Sequence, residues 1–424
     1  MKKYKKFFAF MFIMVLVFAL TACGSSNKTS GTSSNKTVTL TFWNGFTSSD
    51  GEILQSIVNR FNKTNDKHIK IKMDIMTWAN FNEKLPTAIS SKTAPDFVLM
   101  NYPDFASYVK NGAVQPLDDF WKFNGVDKSN FNKTALKLGQ LDGHQYFIPM
   151  QVHGMYLYWN KDLFKNAGLD PNSPPRTWDD FVSTAVKLTN PSKKVFGYAF
   201  PTDGNPIFYN WMLSNKGTLT NSSYTKSTFN SPQNLEVLKQ IQKLVYEEKA
   251  SPKSIAGSES DNLMFAGQLG MYISGPWLNN GLKKNKINYG VTTLPEGKAG
   301  KTAILDGVGF GIPSTTSESK KKAIYEFIKY WNTTKVGKEW SIKNGFPPYL
   351  KSVAADPEIK NNKIVNELGK QIQYAKPFMP ESTQIGSINT DIINPMLEKL
   401  FTGSNPKTLL KETDSKINDA LSNE

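Results

Sequence analysis

Three histidines, one cysteine and 36 carboxylates are the side chains of this 424-residue chain with which covalent or metal chemistry would have to be done. His68, His144 and His153 are neither paired at helical spacing nor grouped with cysteines, so no transition-metal site is expected and no metal is called for. A lone cysteine excludes a disulfide framework and a thiolate zinc cluster. Gly300-Lys301-Thr302 mimics the tail of a phosphate-binding loop, but the required first glycine falls at Pro295. The stretch Gly307-Val308-Gly309-Phe310-Gly311 places its third glycine one residue early for a dinucleotide fingerprint. No cofactor is expected. No Gly-x-Ser-x-Gly elbow occurs, while a glycosidase needs only two facing carboxylates; Asp203 and Asp306 sit near strand ends and are equally suited to accepting hydrogen bonds from a ligand's hydroxyls.

The elements that would position such residues alternate. Val38, Leu40 and Phe42 alternate with threonines and tryptophan as a strand ending at Trp43-Asn44-Gly45, and Ser49-Asp50-Gly51-Glu52 opens a helix in capping-box fashion. Further strands are expected at Ile69 to Ile75, Asp96 to Met100, Met155 to Trp159, Phe196 to Phe200, Leu269 to Ser274 and Tyr289 to Leu294, with helical stretches between them. After about Ser317 the pattern turns mainly helical. This order predicts α/β lobes with largely parallel sheets, whose ligands lie beyond the carboxyl ends of the strands. Those ends are Trp43-Asn44-Gly45, Trp78, Asn101-Tyr102, Asp203-Gly204-Asn205 and Gly275-Pro276-Trp277.

The amino terminus reads as an address. Met-Lys-Lys-Tyr-Lys-Lys precedes an apolar run from Phe7 to Leu20, too short to span a bilayer comfortably, and Leu20-Thr21-Ala22-Cys23-Gly24 resembles a bacterial lipobox. Residues 1–22 are therefore expected to be a lipoprotein signal peptide, with Cys23 acylated and 23–37 a small, polar tether. Loss of 1–22 removes four lysines and no acid, and the dispersed basic charge that remains suits a solvated surface rather than nucleic acid. The expected location is the outer face of the cytoplasmic membrane, in a Gram-positive bacterium.

Several segments together resemble the family 1 extracellular solute-binding proteins of ABC importers, which include maltodextrin, multiple-sugar and glycerol-3-phosphate receptors. They are Trp159-Asn160-Lys161-Asp162-Leu163-Phe164, Pro174-Pro175-Arg176-Thr177-Trp178, Gly275-Pro276-Trp277, Leu294-Pro295-Glu296-Gly297, Asp306 to Pro313, and Asn344-Gly345-Phe346-Pro347-Pro348. The resemblance implies an α/β, two-lobed periplasmic-binding-protein-like fold of type II, with hinged lobes around a ligand cleft. It puts one lobe at 37–148 plus 305–347 and the other at 149–304 plus 348–424, with crossovers near Pro149-Met150-Gln151, Leu305 and Pro347-Pro348.

It also implies a function: capture of a carbohydrate, mono- or oligosaccharide, and delivery to an ABC permease driven by a separate ATPase, by a monomer that does no chemistry itself. Sugars offer C–H faces to flat aromatic rings and hydroxyl edges to amides and carboxylates. The expected ligand contacts are Trp277 first, then Trp43 and Asn44, then Trp78, Asn101, Tyr102, Asp203, Asn205 and Trp211, with Gly307 and Gly309 permitting close backbone approach. The stretch Phe378 to Gly403, similar to the part of glycerol-3-phosphate receptors that holds phosphate with an arginine, contains none; Arg60 and Arg176 are the only arginines. A neutral sugar is thus expected before a phosphorylated polyol, with an exported glycosidase or a wall-binding adhesin as further alternatives.

Overall fold

Side-chain alternation decides the first sheet. Leu40 and Phe42 are fully buried while Thr39 is exposed, and Ile69 and Ile71 alternate in the same way with Lys70 and Lys72. In the computed structural model, which describes residues 37–47, 49–379 and 382–422, these form β1 (Val38–Asn44) and β2 (Ile69–Ile75), paired in parallel from Val38 opposite Ile69 to Asn44 opposite Ile75. The signal segment and Cys23 lie outside the described residues. Helix α1 (Ser49–Thr64) connects β1 to β2 and turns Leu54, Ile57, Val58 and Phe61 inward. Helix α2 (Trp78–Ser90) leads to β3 (Phe97–Asn101), which pairs with β1 in parallel, and α3 (Tyr102–Lys110) follows directly.

The chain then runs through β4 (Phe147–His153) into a second sheet made of β5 (Tyr156–Asn160), β6 (Phe196–Tyr198), β7 (Leu269–Ser274) and β8 (Tyr289–Thr292), ordered β8-β5-β7-β6. It returns through β9 (Ile304–Gly311), which lies between β3 and β4 and pairs antiparallel with both. The sheets are therefore mixed rather than largely parallel. A strand that re-enters from the other side meets its neighbours head to tail, which the order of elements along the chain does not disclose.

Two hydrophobic cores result. The first joins Leu40 through Val152 to Leu305 through Ala375 and centres on Phe42 stacked on Phe97, ring centroids 4.3 Å apart. The second joins Tyr156 through Ile304 to Leu368 and to Met379 through Leu421. The chain changes core at 153–156 and again around 303–305, where Ala303 and Leu305 face the first and Ile304 the second, and it alternates between the two over 365–379. The crossover expected at Pro149-Met150-Gln151 lies a few residues later, because Met150 and Val152 still pack in the first core. Beyond the crossover expected at Pro347-Pro348 the two cores interleave: Tyr349, Leu350, Val353 and Val365 pack in the first, while Leu368 packs in the second with Ile364 against it. Leu350 and Val353 fit in the first because Gly337 leaves room for them on the helix Thr334–Asn344.

A buried glutamine ties the crossovers together. Gln371 donates to the carbonyl of Met155 at 2.6 Å and accepts from the N–H of Leu294 at 2.8 Å. Asn210 accepts from the N–H of Ile304 at 2.9 Å. Among the described residues, no helix is long and apolar enough to cross a membrane.

Candidate functional site

A cavity of about 550 Å³ opens where the carboxyl ends of β1, β3 and β7 meet the crossover strands, and side chains from both cores line it. From the first core come Gly45 to Thr47, Asp50, Trp78, Asn101, Asp104, Gln151, His153, Asp306 and Val308. From the second come Asp203 to Ile207, Gly257, Ser258, Asp261, Tyr272 to Ser274 and Asn389, while Trp277, just past β7, packs against the first.

Two indoles are seated on glycines. A Cβ at Gly45 would stand 2.2 Å from the Trp78 ring, and one at Gly275 would stand 2.0 Å from that of Trp277. Any side chain at either position would displace the ring, so glycine here sets the orientation of an aromatic surface. Trp78 is braced edge-on by Phe46 and Phe81, at 5.9 and 5.4 Å between centroids, and Trp277 meets His153 edge-on at 5.4 Å.

Five carboxylates face the same cavity, from Asp50, Asp104, Asp203, Asp261 and Asp306, and among the described residues no lysine or arginine lines it. Burial pushes Asp104 up to about 6, with the charge of Asp306 adding and a hydrogen bond from Asn82 at 3.2 Å opposing. Burial likewise raises Asp306 to about 6 against the N–H of Gly307, which donates at 2.7 Å. Asp261 rises to about 7, again through burial, with Asp203 adding and Tyr272 opposing. Asp203 accepts from the N–H of Gly257 at 3.1 Å, which fixes the start of the helix Gly257–Phe265 that carries Asp261.

His153 is buried and pushed down to about 4, so it is neutral near pH 7. Among the described residues its Nδ1 meets no hydrogen-bond partner. No group of three or more His, Cys, Asp or Glu side chains among the described residues could hold a metal ion.

Of the residues expected from sequence, the structure brings Trp78, Asn101, Asp203, Asn205 and Trp277 to this one cavity. The others lie elsewhere. Trp43 packs half-buried on the first core and donates Nε1–H to Asp74 at 3.2 Å. Asn44 is fully buried and accepts from the N–H of Phe46 at 3.0 Å, shaping the turn that carries Gly45. Tyr102 stacks on Phe105 and borders only a small adjoining cavity of about 40 Å³. Trp211 is fully buried, stacked on Trp178 at 4.2 Å with its Nε1–H donating to Gln240. Gly307 and Gly309 are packing glycines of β9, the second pressed against the Phe147 ring.

Asp50, Asp104, Gln151, His153, Asp261 and Tyr272 were not singled out for the site by sequence. His153 had a signal only in its nearness to the crossover expected at Pro149-Met150-Gln151. Asp104 and Asp261 sit on ordinary helix faces and gave none.

The model of the bacterial extracellular solute-binding proteins matches residues 46–338, about two thirds of the chain. The chain belongs to that family. Its sn-glycerol-3-phosphate-binding periplasmic relative from Pectobacterium atrosepticum is 26% identical over 404 residues, 89% of each chain. Among solved structures, an ABC substrate-binding protein from Listeria monocytogenes in complex with cycloalternan superimposes with a TM-score of 0.81 at 26% identity, covering 91% of this chain and all of that one. A solute-binding protein from Thermotoga lettingae bound with alpha-D-tagatose gives 0.83 at 23% identity over the same shares, a likeness of fold. The two cores are thus the lobes of a two-lobed sugar-receptor fold, and the protein is an ABC-importer solute-binding receptor rather than an enzyme.

Proposed function

We propose that this receptor captures a neutral carbohydrate between its lobes and delivers it to a membrane permease driven by a separate ATPase. The observation that carries this reading is the composition of the cavity: two indole faces, five carboxylates and several amides, without a lysine or arginine among the described residues. Carboxylates accept strongly from hydroxyls, and indoles take C–H faces. Closure follows by population shift, because a sugar touching Trp78 and Asp306 on one lobe and Asp203 and Asp261 on the other binds the closed arrangement better than the open one.

A phosphorylated polyol would be recognised through different groups. The relative from Pectobacterium atrosepticum favours that reading by its name. A dianion usually wants a guanidinium or a cradle of N–H groups, and here it would face carboxylates instead. The amino-terminal pattern supports acylation of Cys23 and work at the outer face of the cytoplasmic membrane, in a Gram-positive cell.

A thermal-shift panel of neutral mono- and oligosaccharides beside glycerol 3-phosphate tests the reading, since a ligand of the native state alone raises apparent stability. A neutral sugar is expected to raise Tm with no response to the phosphate ester. Stabilisation by the ester alone would contradict it.

A further inference from the structure

Beyond the cleft lies a second cavity, about 1130 Å³, that shares Pro103, Asp104 and Gly386 with it. One wall is the outward side of α3, with Ser107, Tyr108 and Asn111. The opposite wall comes from the second lobe, with Ser223 and Tyr224 on one loop and Gln384 and Ser387 near the carboxyl-terminal helices. The charged pair on its rim, Lys110 and Asp142, is self-compensated at 2.9 Å.

The loop that presents Tyr224 is held rigidly. Asn221 accepts from the N–H groups of Thr225 at 2.9 Å and Lys226 at 3.1 Å, and Ser227 donates to Asp414 on the last helix. Tyr224 itself has φ +57°, a left-handed conformation costly for a bulky aromatic residue. Such strain persists where the surroundings over-determine it, and its result here is a tyrosine at the groove, with Tyr108 on the other wall. Tyrosine rings flanked by amides and hydroxyls, with no net charge beyond the shared Asp104, repeat the chemistry of the cleft in a more open form.

We infer that the solute is an oligosaccharide longer than a disaccharide, seated with one end on Trp78 and Trp277 and running past Pro103 and Gly386 into the groove between Tyr108 and Tyr224. This rests on the carbohydrate reading and adds to it a chain length and a second set of contacts. The continuity of the two cavities carries it, since a monosaccharide would use only the inner one.

Calorimetric titration of the whole soluble chain with α-1,4-linked glucose and β-1,4-linked mannose ladders of one to six residues provides the test. In the ladder that binds, affinity is expected to rise at least tenfold beyond the disaccharide. Tyr108→Ala with Tyr224→Ala should abolish that gain while disaccharide affinity stays within twofold. Ser223→Trp, a change at an exposed position that fills the groove, should do the same without touching the tyrosines. Affinity independent of length, or variants that bind every length as the parent does, would overturn the groove and leave the carbohydrate reading standing. Failure of every rung, together with no Tm response to any neutral sugar, would overturn both.

Discussion

The indole of Trp277 lies over Gly275, so near that a Cβ on the glycine would stand 2.0 Å from the ring. The backbone there is not left-handed, so alanine costs little by itself; its effect is to lift the indole. Gly275→Ala is expected to weaken sugar affinity in the same direction as Trp277→Ala, which should lose about 1 to 3 kcal/mol of binding. Calorimetry on both variants checks this. Folded variants with parental affinity would remove Trp277 from the site.

Titration of the cavity acids gives the apo protein a definite pH slope. With Asp104 and Asp306 at about 6 and Asp261 at about 7, each folded-state carboxyl keeps a proton that the unfolded chain releases near its ordinary pKa of about 4. Their contribution to stability is full below about pH 4 and is lost as pH rises through 6 and 7. His153, held near 4, acts oppositely: its contribution is present above about pH 6.5 and lost as pH falls through 4. In melts between pH 5 and 7.5, the Tm of Asp261→Asn relative to the parent should therefore increase with pH. A constant difference would mean that Asp261 is ionised throughout.

Trp211 serves the second core. Stacked on Trp178 and completely buried, it should cost about 3 to 5 kcal/mol when replaced by alanine, read from denaturant unfolding. Trp211→Phe should stay folded with sugar affinity within twofold of the parent. A loss of affinity without a loss of stability would return Trp211 to the list of ligand contacts.

Gln371 is the joint between the crossover segments. Gln371→Ala strands the Met155 carbonyl and the Leu294 N–H in a buried place, each at about 1 to 3 kcal/mol. A clear drop in Tm is expected, and an unchanged melt would show that water or a neighbour replaces the amide.

Much of the architecture was legible because it is written in local periodicity. Leu40 and Phe42, or Ile69 and Ile71, declare a buried face within a few residues. Strand direction was not, because the antiparallel entry of β9 depends on where the chain returns from. Trp78 and Trp277 stood out as aromatics at loop ends, and the glycines beneath them are close in sequence or at a strand end. Trp211 misled for a physical reason: residues Ile207 to Met212 are buried on every side of their helix, and an apolar helix buried all round shows no face to read. The acids of the cavity come from segments far apart in the chain, and only folding places Asp104 near Asp306 or Asp203 near Asp261. The opposition of His153 and Asp306 across β4 and β9 is a matter of register, invisible in either segment alone.

The most direct measurement is a crystal structure of the protein with the neutral sugar that gives the largest thermal shift. The expected density is a sugar ring against the faces of Trp78 and Trp277, with hydroxyls on Asp104, Asp261 or Asp306 and on His153. A sugar bound outside this cleft, or a phosphate ester seated within it, would contradict the reading.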